Sequence, residues 1–454
     1  MHVTTSSRWQ RHALGTALAA IALVAFGSVP AAADTDPDPD RVVTFAKDVA
    51  PILQESCQAC HRPGSVAPMS LLTYDEVRPW AQVIKLRVQQ REMPPYHYDT
   101  DVGIQELKYD TRLSEAAIET IALWVDQGAP MGNPADLPPP LEFTDETGYQ
   151  LARDLGQPDL IVKSTPYTVP ATGQDIWHRP LVETGLTQDR CIKAIEVRPM
   201  NRAIAHHANS TFRIASDDSA DSADDDGNNR NSERLTEYAL GKLGEIIPEG
   251  TCRIAPADAK VSWDIHYFPS GEEVVNDHVE IGIWFYPESY EGKFRQDLRL
   301  YGLQGDILLP PHGTAMTQGF HSFDHPVRID SFQPHGHLRL KAKSLEIFHP
   351  GTGDREMISM VSNWNPGWHL SHIYEDHVAP LVPAGSVLVI TAWYDNTANN
   401  SHNPDPDVWV GRGSRTTDEM SHAWIALTHL DQAEYDRLVA EREAMEKAQE
   451  TTAN

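Results

Sequence analysis

Residues 261–267 read VSWDIHY, with an apolar side chain at every second position and a polar one between each pair. Successive side chains of a β-strand point to opposite faces, so this alternation predicts a strand with one face in a core. His266 then lies on the polar face. The segment 386–395 (SVLVITAWYD) favours a strand in the same way, as do 278–286 and 338–348.

Short strands punctuated by Gly and Pro, with few helices between them, are typical of β-sandwiches. The chain has 454 residues, which is too long for a single core. We therefore predict two all-β sandwich lobes of the jelly-roll type. The first covers 158–292 and includes an acidic loop at 216–233, and the second covers 293–432.

The chain before these lobes has a helical pattern. Ser114 is a predicted N-cap, and the helix after it carries Ile118, Ile121 and Val125 on one face before it ends at Gly128. Residues 42–132 are accordingly predicted to form a small α-helical domain. A Pro-rich linker is expected over 133–157, and a charged C-terminal helix and tail over 433–454.

Residues 1–33 have the pattern of a signal peptide. Arg8 and Arg11 precede an apolar run, and three alanines that end at Ala33 offer a cleavage site. An uncleaved anchor is the alternative. The net charge of −28 disfavours nucleic acid as a partner. We expect a periplasmic or secreted protein with no stable membrane span after cleavage.

Cys57, Cys60 and His61 form a C-x-x-C-H motif. Two thiols at this spacing reach both vinyl groups of one haem, and the adjacent imidazole then lies under the iron. The motif predicts a covalent c-type haem with His61 as an axial ligand. A redox dithiol or half of a zinc site is the competing interpretation.

The segment from Val43 to Pro130 resembles the class I cytochromes c, with a helix, the haem motif, a Met-Pro loop and a final helix. The resemblance implies Met93, just before Pro94, as the second axial ligand. Met69 is the competing ligand, and His97 a weaker one. A His/Met pair favours one-electron transfer.

Two further cysteines, Cys191 and Cys252, complete the four in the chain. In an oxidising compartment they are predicted to form a disulfide. Free buried thiols are the alternative.

Histidines recur at metal-ligand spacings in the β-rich part. His206 and His207 are adjacent, so on a regular strand they would point opposite ways and must lie at a strand end or twist. His335 and His337 flank Gly336, which places both imidazoles on one face of a strand.

These motifs resemble the type II copper, ascorbate-dependent monooxygenases, the family of peptidylglycine α-hydroxylating monooxygenase and dopamine β-monooxygenase. The resemblance implies two copper ions. A relay copper would be bound by His206, His207 and His266. A catalytic copper that activates oxygen would be bound by His335, His337 and Met420. Zinc at the three-histidine set is the alternative metal.

The sequence therefore predicts a periplasmic haem- and copper-containing monooxygenase that hydroxylates a C–H bond of a small-molecule or peptide substrate with O2. Electrons would come from a periplasmic donor through the haem. The first alternative is an electron-transfer or copper-binding protein without oxygenase activity. The second is a carbohydrate- or peptide-binding module with incidental histidines.

Overall fold

The computed structural model describes residues 42–453, except for 64, 66, 68, 144–147, 214–232, 240–243, 304 and 414. The predicted signal peptide lies outside the described residues, and so does the acidic loop except for Glu233.

The helical part of the chain precedes the strands. Its segments are a π-helical turn Phe45–Val49, α1 Ala50–Ser56, α2 Tyr74–Val77, a 3-10 turn Arg78–Trp80, α3 Ala81–Gln89, α4 Glu115–Asp126, a 3-10 turn Pro134–Asp136 and α5 Ala152–Leu155. α6, Gln432–Ala453, follows the last strand. The prediction for α4 is confirmed: the Ser114 hydroxyl accepts from Ala117 N at 3.2 Å, and Ile121 and Trp124 are buried in the helical core. Gly128 follows the helix with φ +88°.

The described residues form twenty-four strands, of which β1 lies between α3 and α4 and β2 to β24 lie between α5 and α6. The strands up to residue 285 are β1 Leu107–Lys108, β2 Leu160–Lys163, β3 Tyr167–Val169, β4 Ile176–His178, β5 Leu181–Glu183, β6 Arg190–Pro199, β7 Ala205–Arg213, β8 Glu233–Ala239, β9 Glu245–Ile246, β10 Thr251–Ala255, β11 Lys260–Tyr267, β12 Val274–Asp277 and β13 Val279–Phe285. The later strands are β14 Phe294–Gly302, β15 Leu308–Leu309, β16 Thr314–Ser322, β17 Val327–His335, β18 Leu340–Phe348, β19 Arg355–Val361, β20 His372–Tyr374, β21 Leu381–Val382, β22 Val387–Asp395, β23 Val410–Gly411 and β24 His422–His429. The four predicted strand segments correspond to β11, β13, β18 and β22.

These strands form two sandwiches that share one sheet. An 11-stranded sheet has the order β1-β20-β17-β24-β14-β10-β6-β13-β2, with β21 and β9 at its sides. A sheet β4-β11-β7-β8 with β5 belongs to the first sandwich, and a sheet β16-β22-β18-β19 belongs to the second. The first sandwich has a core of β-branched and aromatic side chains around Trp263, and the second has its own core around Phe332 and Ile425.

The junction between the sandwiches is the parallel pairing of β10 with β14, through Thr251 opposite Phe294 and Cys252 opposite Arg295. Each lobe therefore continues the sheet of the other, and their relative position is fixed by backbone hydrogen bonds. The lobe boundary predicted at 292/293 falls immediately before β14.

A segment between α3 and α4 packs against the second sandwich. β1 pairs with β20, and Asp99 N donates to Met360 O at 2.9 Å. Tyr98 and Leu107 are buried in the core of that sandwich. The sequence places these residues in the helical domain, because a two-residue strand has too little periodicity to be read.

The predicted disulfide is confirmed. Cys191 in β6 and Cys252 in β10 are bonded, and the strands pair antiparallel with Cys191 opposite Ile254. The bond fits an extracellular or periplasmic protein. Among the residues with described positions, no helix combines the length and apolar character needed to cross a lipid bilayer.

The disulfide closes a loop with a sequence separation of 61 residues. Replacing both cysteines with serine is expected to lower the free energy of unfolding by about 4 kcal/mol, because the unfolded chain regains the entropy of that loop. Urea denaturation measures the change. Peptide mapping of denatured, unreduced wild type should find neither thiol alkylated. Stoichiometric alkylation of both cysteines would disprove the pairing.

Candidate functional site

The haem motif lies in a turn after α1. Cys60 N and His61 N donate to Cys57 O at 3.1 and 2.9 Å, and neither cysteine is in a disulfide. Burial raises the pKa of the Cys57 thiol to about 12, and the nearby Cys60 adds to the shift. Reactive dithiols have a lowered thiol pKa instead. This environment disfavours a redox dithiol and leaves both sulfurs available for thioether bonds.

The His61 ring is held by a hydrogen bond to the backbone. Its Nδ1 donates to Met69 O at 3.2 Å, since a carbonyl oxygen can only accept. Burial lowers the pKa of His61, so the ring is neutral and Nε2 carries a lone pair. In metal sites the ring nitrogen that does not bind the metal commonly donates such a hydrogen bond, which fixes the orientation of the imidazole. The residues of the motif therefore fit a c-type haem.

The three candidates for the second axial position occupy different places. Met93 is half-buried just after α3, and its N donates to Arg87 O at 3.3 Å. Met69 packs against the helical core together with Cys57. His97 contacts two tryptophans of the second sandwich, with ring centroids 5.2 Å from Trp364 and 6.2 Å from Trp368. Met93 stays the predicted ligand, with Met69 as its competitor.

A cavity of about 460 Å³ between the two sandwiches brings the candidate copper ligands together. His207 and His266 line it from the first sandwich, and His335, His337 and Met420 line it from the second. Its other lining residues include Trp177, Arg179, Arg213, Arg234, His369, His422 and Trp424. Ligands that are distant in sequence thus share one space.

The first ligand set lies on two paired strands. His207 in β7 is directly opposite His266 in β11, and their ring centroids are 4.9 Å apart at an interplanar angle of 72°. Two imidazoles that bind one metal through nitrogens about 2.0 Å from it, at tetrahedral angles, hold their centroids roughly 5 Å apart. The pair therefore has the separation that a shared metal requires.

His266 has further contacts on both sides of its ring. It stacks on Trp177 with centroids 4.5 Å apart, and its Nε2 lies 3.0 Å from Asp175 Oδ2. The ring of His266 is therefore held by an indole on its face and a carboxylate at its edge. Neither Trp177 nor Asp175 was identified from the sequence, because both lie in the β4 region, which is distant from His266 along the chain.

The adjacent histidines are accommodated by a β-bulge. The pairing of β7 with β11 shifts after His266, so Tyr267 is opposite Ala205 and His206 has no residue across from it. A bulge is one of the irregularities that allow neighbouring side chains to share a side. The side chain of His206 lies outside the described part of the structure.

The second ligand set lies at the end of β17. His335 is the last residue of the strand and His337 follows it, with ring centroids 5.4 Å apart at 83°. The rings are thus close. The sequence pattern predicted that one strand carries both histidines, but β17 ends at His335. A Cβ on Gly336 would lie 2.5 Å from Leu340 Cδ2, so glycine is needed between them.

His337 and Met420 are held by one carboxylate. Glu419 is fully buried and accepts from His337 N at 3.0 Å, from Met420 N at 3.3 Å and from Arg339 N. His337 Nδ1 donates to Asp418 O at 3.1 Å, which leaves Nε2 for a metal. The Asp-Glu-Met sequence therefore fixes the backbone of Met420 next to that of His337, and both residues line the cavity.

The electrostatics of the second set favour metal binding. Burial lowers the pKa of His337 to about 4, and burial with the neighbouring histidines lowers the pKa of His335 well below its usual value. Both imidazoles are neutral and can donate a lone pair. Imidazole with thioether suits a copper that changes between Cu(I) and Cu(II).

Two histidines of the cavity were not assigned to the site from the sequence. His422, in β24, is opposite His335 and stacks on it with centroids 4.7 Å apart. His369 lies 4.9 Å from His335 between ring centroids. The position of His422 two residues after Met420 was an available signal. His369 had none, because it lies in an irregular loop.

Within the described ranges, no three His, Cys, Asp or Glu side chains are grouped so as to hold a metal ion. The two sets are each consistent with this result. The third ligand of the first set is His206, whose side chain is not described, and the third ligand of the second set is the sulfur of Met420. The described residues thus supply two imidazole pairs and one thioether that line the same cavity.

Comparisons with known proteins do not identify a relative. No protein-family profile and no curated protein matches the sequence. Matching solved structures include PNGF-II, with a TM-score of 0.27 and 9% identity over 60% of this chain and 66% of that chain, or just under two thirds of its length. Another is the VP2 subviral particle of infectious bursal disease virus, with a TM-score of 0.18 and 9% identity over 64% and 77% of the two chains. Likenesses this weak carry no functional inference.

Replacing Glu419 with glutamine is expected to lower the free energy of unfolding by about 3 kcal/mol, since the amide N–H groups face backbone donors in a buried site. The matched control is Asp418→Asn, whose carboxylate pairs with the exposed Arg415 at 2.6 Å. That change should cost less than about 1 kcal/mol. Denaturant unfolding of both variants measures the difference. Equal losses would show that Glu419 does not hold the site.

Proposed function

We propose that this chain is a periplasmic haem- and copper-containing monooxygenase that hydroxylates a C–H bond with O2. In this proposal His206, His207 and His266 bind the relay copper, and His335, His337 and Met420 bind the copper that activates oxygen. Two copper ions in these places would supply the electrons for oxygen activation one at a time. The proposal rests on the family resemblance and on the observations that follow.

The observation that carries the proposal is the shared cavity. His207 and His266 come from the first sandwich, and His335, His337 and Met420 from the second, yet all five line one space of about 460 Å³. Incidental histidines on separate lobes have no physical reason to converge. The convergence disfavours a binding module without metal.

Neighbouring groups hold two of the proposed ligands, His337 and Met420, in place. The hydrogen bond from Nδ1 of His337 to Asp418 O leaves Nε2 for the metal, and Tyr394 Oη donates to Met420 O at 2.8 Å. Trp364 Nε1 donates to His337 O at 3.2 Å. Ligands held in this way need little rearrangement when a metal binds.

Cys60 of the haem motif lies within electrostatic reach of β8, the strand that pairs with the His207 strand β7. Burial raises the pKa of Tyr238 in β8, and a smaller effect of Cys60 acts in the same direction. Tyr238 is opposite Ala208, the residue after His207. A c-type haem would supply one-electron transfer at this place, next to the set assigned to the relay copper.

The cavity suits a small molecule or the end of a peptide. Its volume lies within the range of small-molecule sites, and its lining combines three tryptophans with many polar and charged side chains. Arg234 lies over the Trp424 ring at 4.8 Å, and Arg179 pairs with Asp264 at 2.9 Å. These side chains would contact a substrate directly.

Wild-type protein expressed in a periplasm is expected to contain two copper ions and one haem iron, and to consume O2 when a substrate is hydroxylated. X-ray absorption of the reduced protein should show a sulfur scatterer on copper. Met420→Ala should lose that scatterer because the thioether is gone, whereas His266→Ala should keep it. A wild type without a Met420-dependent Cu–S signal contradicts the two-copper assignment.

The haem assignment has its own test. Replacing Cys57 or Cys60 with alanine should abolish or weaken covalent attachment, and His61→Ala should remove the axial ligand. Met93→Ala should lose the sulfur-to-iron charge-transfer band in absorption spectra. Met69→Ala is the matched control. Loss of the band in Met69→Ala, but not in Met93→Ala, would assign the distal ligand to Met69.

A further inference from the structure

We propose that His369 is the positioning residue that joins the two copper ligand sets. It orients the His335 ring, and it links that ring to His207 of the first set. This inference rests on the proposed function, and it concerns a residue that the resemblance leaves without a role.

The position of His369 is central and well defined. It lies in the loop between β19 and β20, is 5% exposed, and lines the shared cavity. Its ring centroid is 4.9 Å from that of His335 and 6.2 Å from that of His207. One side chain thus contacts one ring of each ligand set.

His369 determines which nitrogen of His335 faces the cavity metal. The Nδ1 atoms of the two rings are 3.1 Å apart, so one donates its proton and the other accepts. With Nδ1 engaged, His335 has Nε2 for copper. His422 stacks on the same ring with centroids 4.7 Å apart, so His335 is held by two neighbours.

The loop that carries His369 is anchored to His337, a further ligand of the second set. Trp364 contacts the His369 ring edge to face, with centroids 5.7 Å apart and an interplanar angle of 88°. Trp364 is 2% exposed, and its Nε1 donates to His337 O at 3.2 Å. A displacement of His337 is therefore transmitted to His369 through a rigid indole.

This placement gives His369 a second consequence. In the proposed function a copper ion held by the first set would supply one electron to a copper ion held by the second set. Electronic coupling between two sites weakens as the gap between them lengthens. A conjugated ring in contact with His207 and His335 shortens that gap.

The experiment compares His369→Ala and His369→Asn in the full chain loaded with haem and copper. The Asn side chain can place a polar atom near the position of Nδ1, but it lacks the ring. His349→Ala is the matched control. His349 follows β18, and its ring forms a hydrogen bond with Glu356 of β19. The measurements are copper affinity, the spin-resonance spectrum of Cu(II), and the rate of electron exchange after mixing with substoichiometric ascorbate.

In His369→Ala the dissociation constant of copper at the second set should rise by about 10- to 100-fold, with an altered spectrum, and exchange should slow by at least about 10-fold. Recording the spin-resonance spectrum in variants that also carry His266→Ala isolates the signal of copper at the second set. His369→Asn should restore the affinity and the spectrum but leave exchange slow. The control variant should match wild type.

Failure of this inference can be distinguished from failure of the proposed function. If wild type binds copper at both sets and His369→Ala keeps its affinity, spectrum and exchange rate, this inference is wrong and the proposed function stands. If wild type binds no copper, both are wrong. If circular dichroism shows that His369→Ala does not fold, His369→Asn is the deciding variant. A wild-type rate of electron exchange in His369→Asn would overturn the bridging role.

Discussion

Glu419 is fully buried, and its oxygens accept hydrogen bonds from the backbone N–H groups of His337, Arg339 and Met420. Each of these groups would otherwise be buried without an acceptor, because β17 has ended and its ladder no longer supplies one. The carboxylate therefore fixes the backbone on both sides of the second ligand set at once. The ring of His337, the sulfur of Met420 and the wall of the cavity between the sandwiches all depend on this one group.

The same requirement explains the buried cation beneath the site. Lys343 is fully buried and donates to the carbonyl oxygens of His335 and His422. Burial lowers the pKa of Lys343 to about 7 and raises the pKa of Glu419 to about 7. Both side chains thus act on backbone atoms rather than on a ligand ring. They hold in place the strand ends that carry His335 and His337, whose own pKa values are lowered by burial.

Charge and packing also connect the three parts of the chain. The shared sheet fixes the two sandwiches through the pairing of β10 with β14. The segment after the predicted haem ligand Met93 inserts Tyr98 and Leu107 into the core of the second sandwich. Cys60 lies close enough to Tyr238 to affect its pKa. The helical part is therefore joined to the second lobe by packing and lies within electrostatic reach of the first.

The sequence by itself determined the elements with strong local signals. Alternation over 261–267 specified β11, and the Ser114 cap and apolar spacing specified α4, because both patterns report burial along a single segment. The disulfide between Cys191 and Cys252 followed from counting cysteines in a chain predicted to be exported. The ligand candidates were recognisable as motifs. Only the tertiary structure decided that the two sets line one cavity, that a bulge accompanies the His206–His207 pair, and that His369 and His422 belong to the site. Such contacts join residues distant in the chain, and the free energy that selects them comes from packing between strands, which no local pattern records.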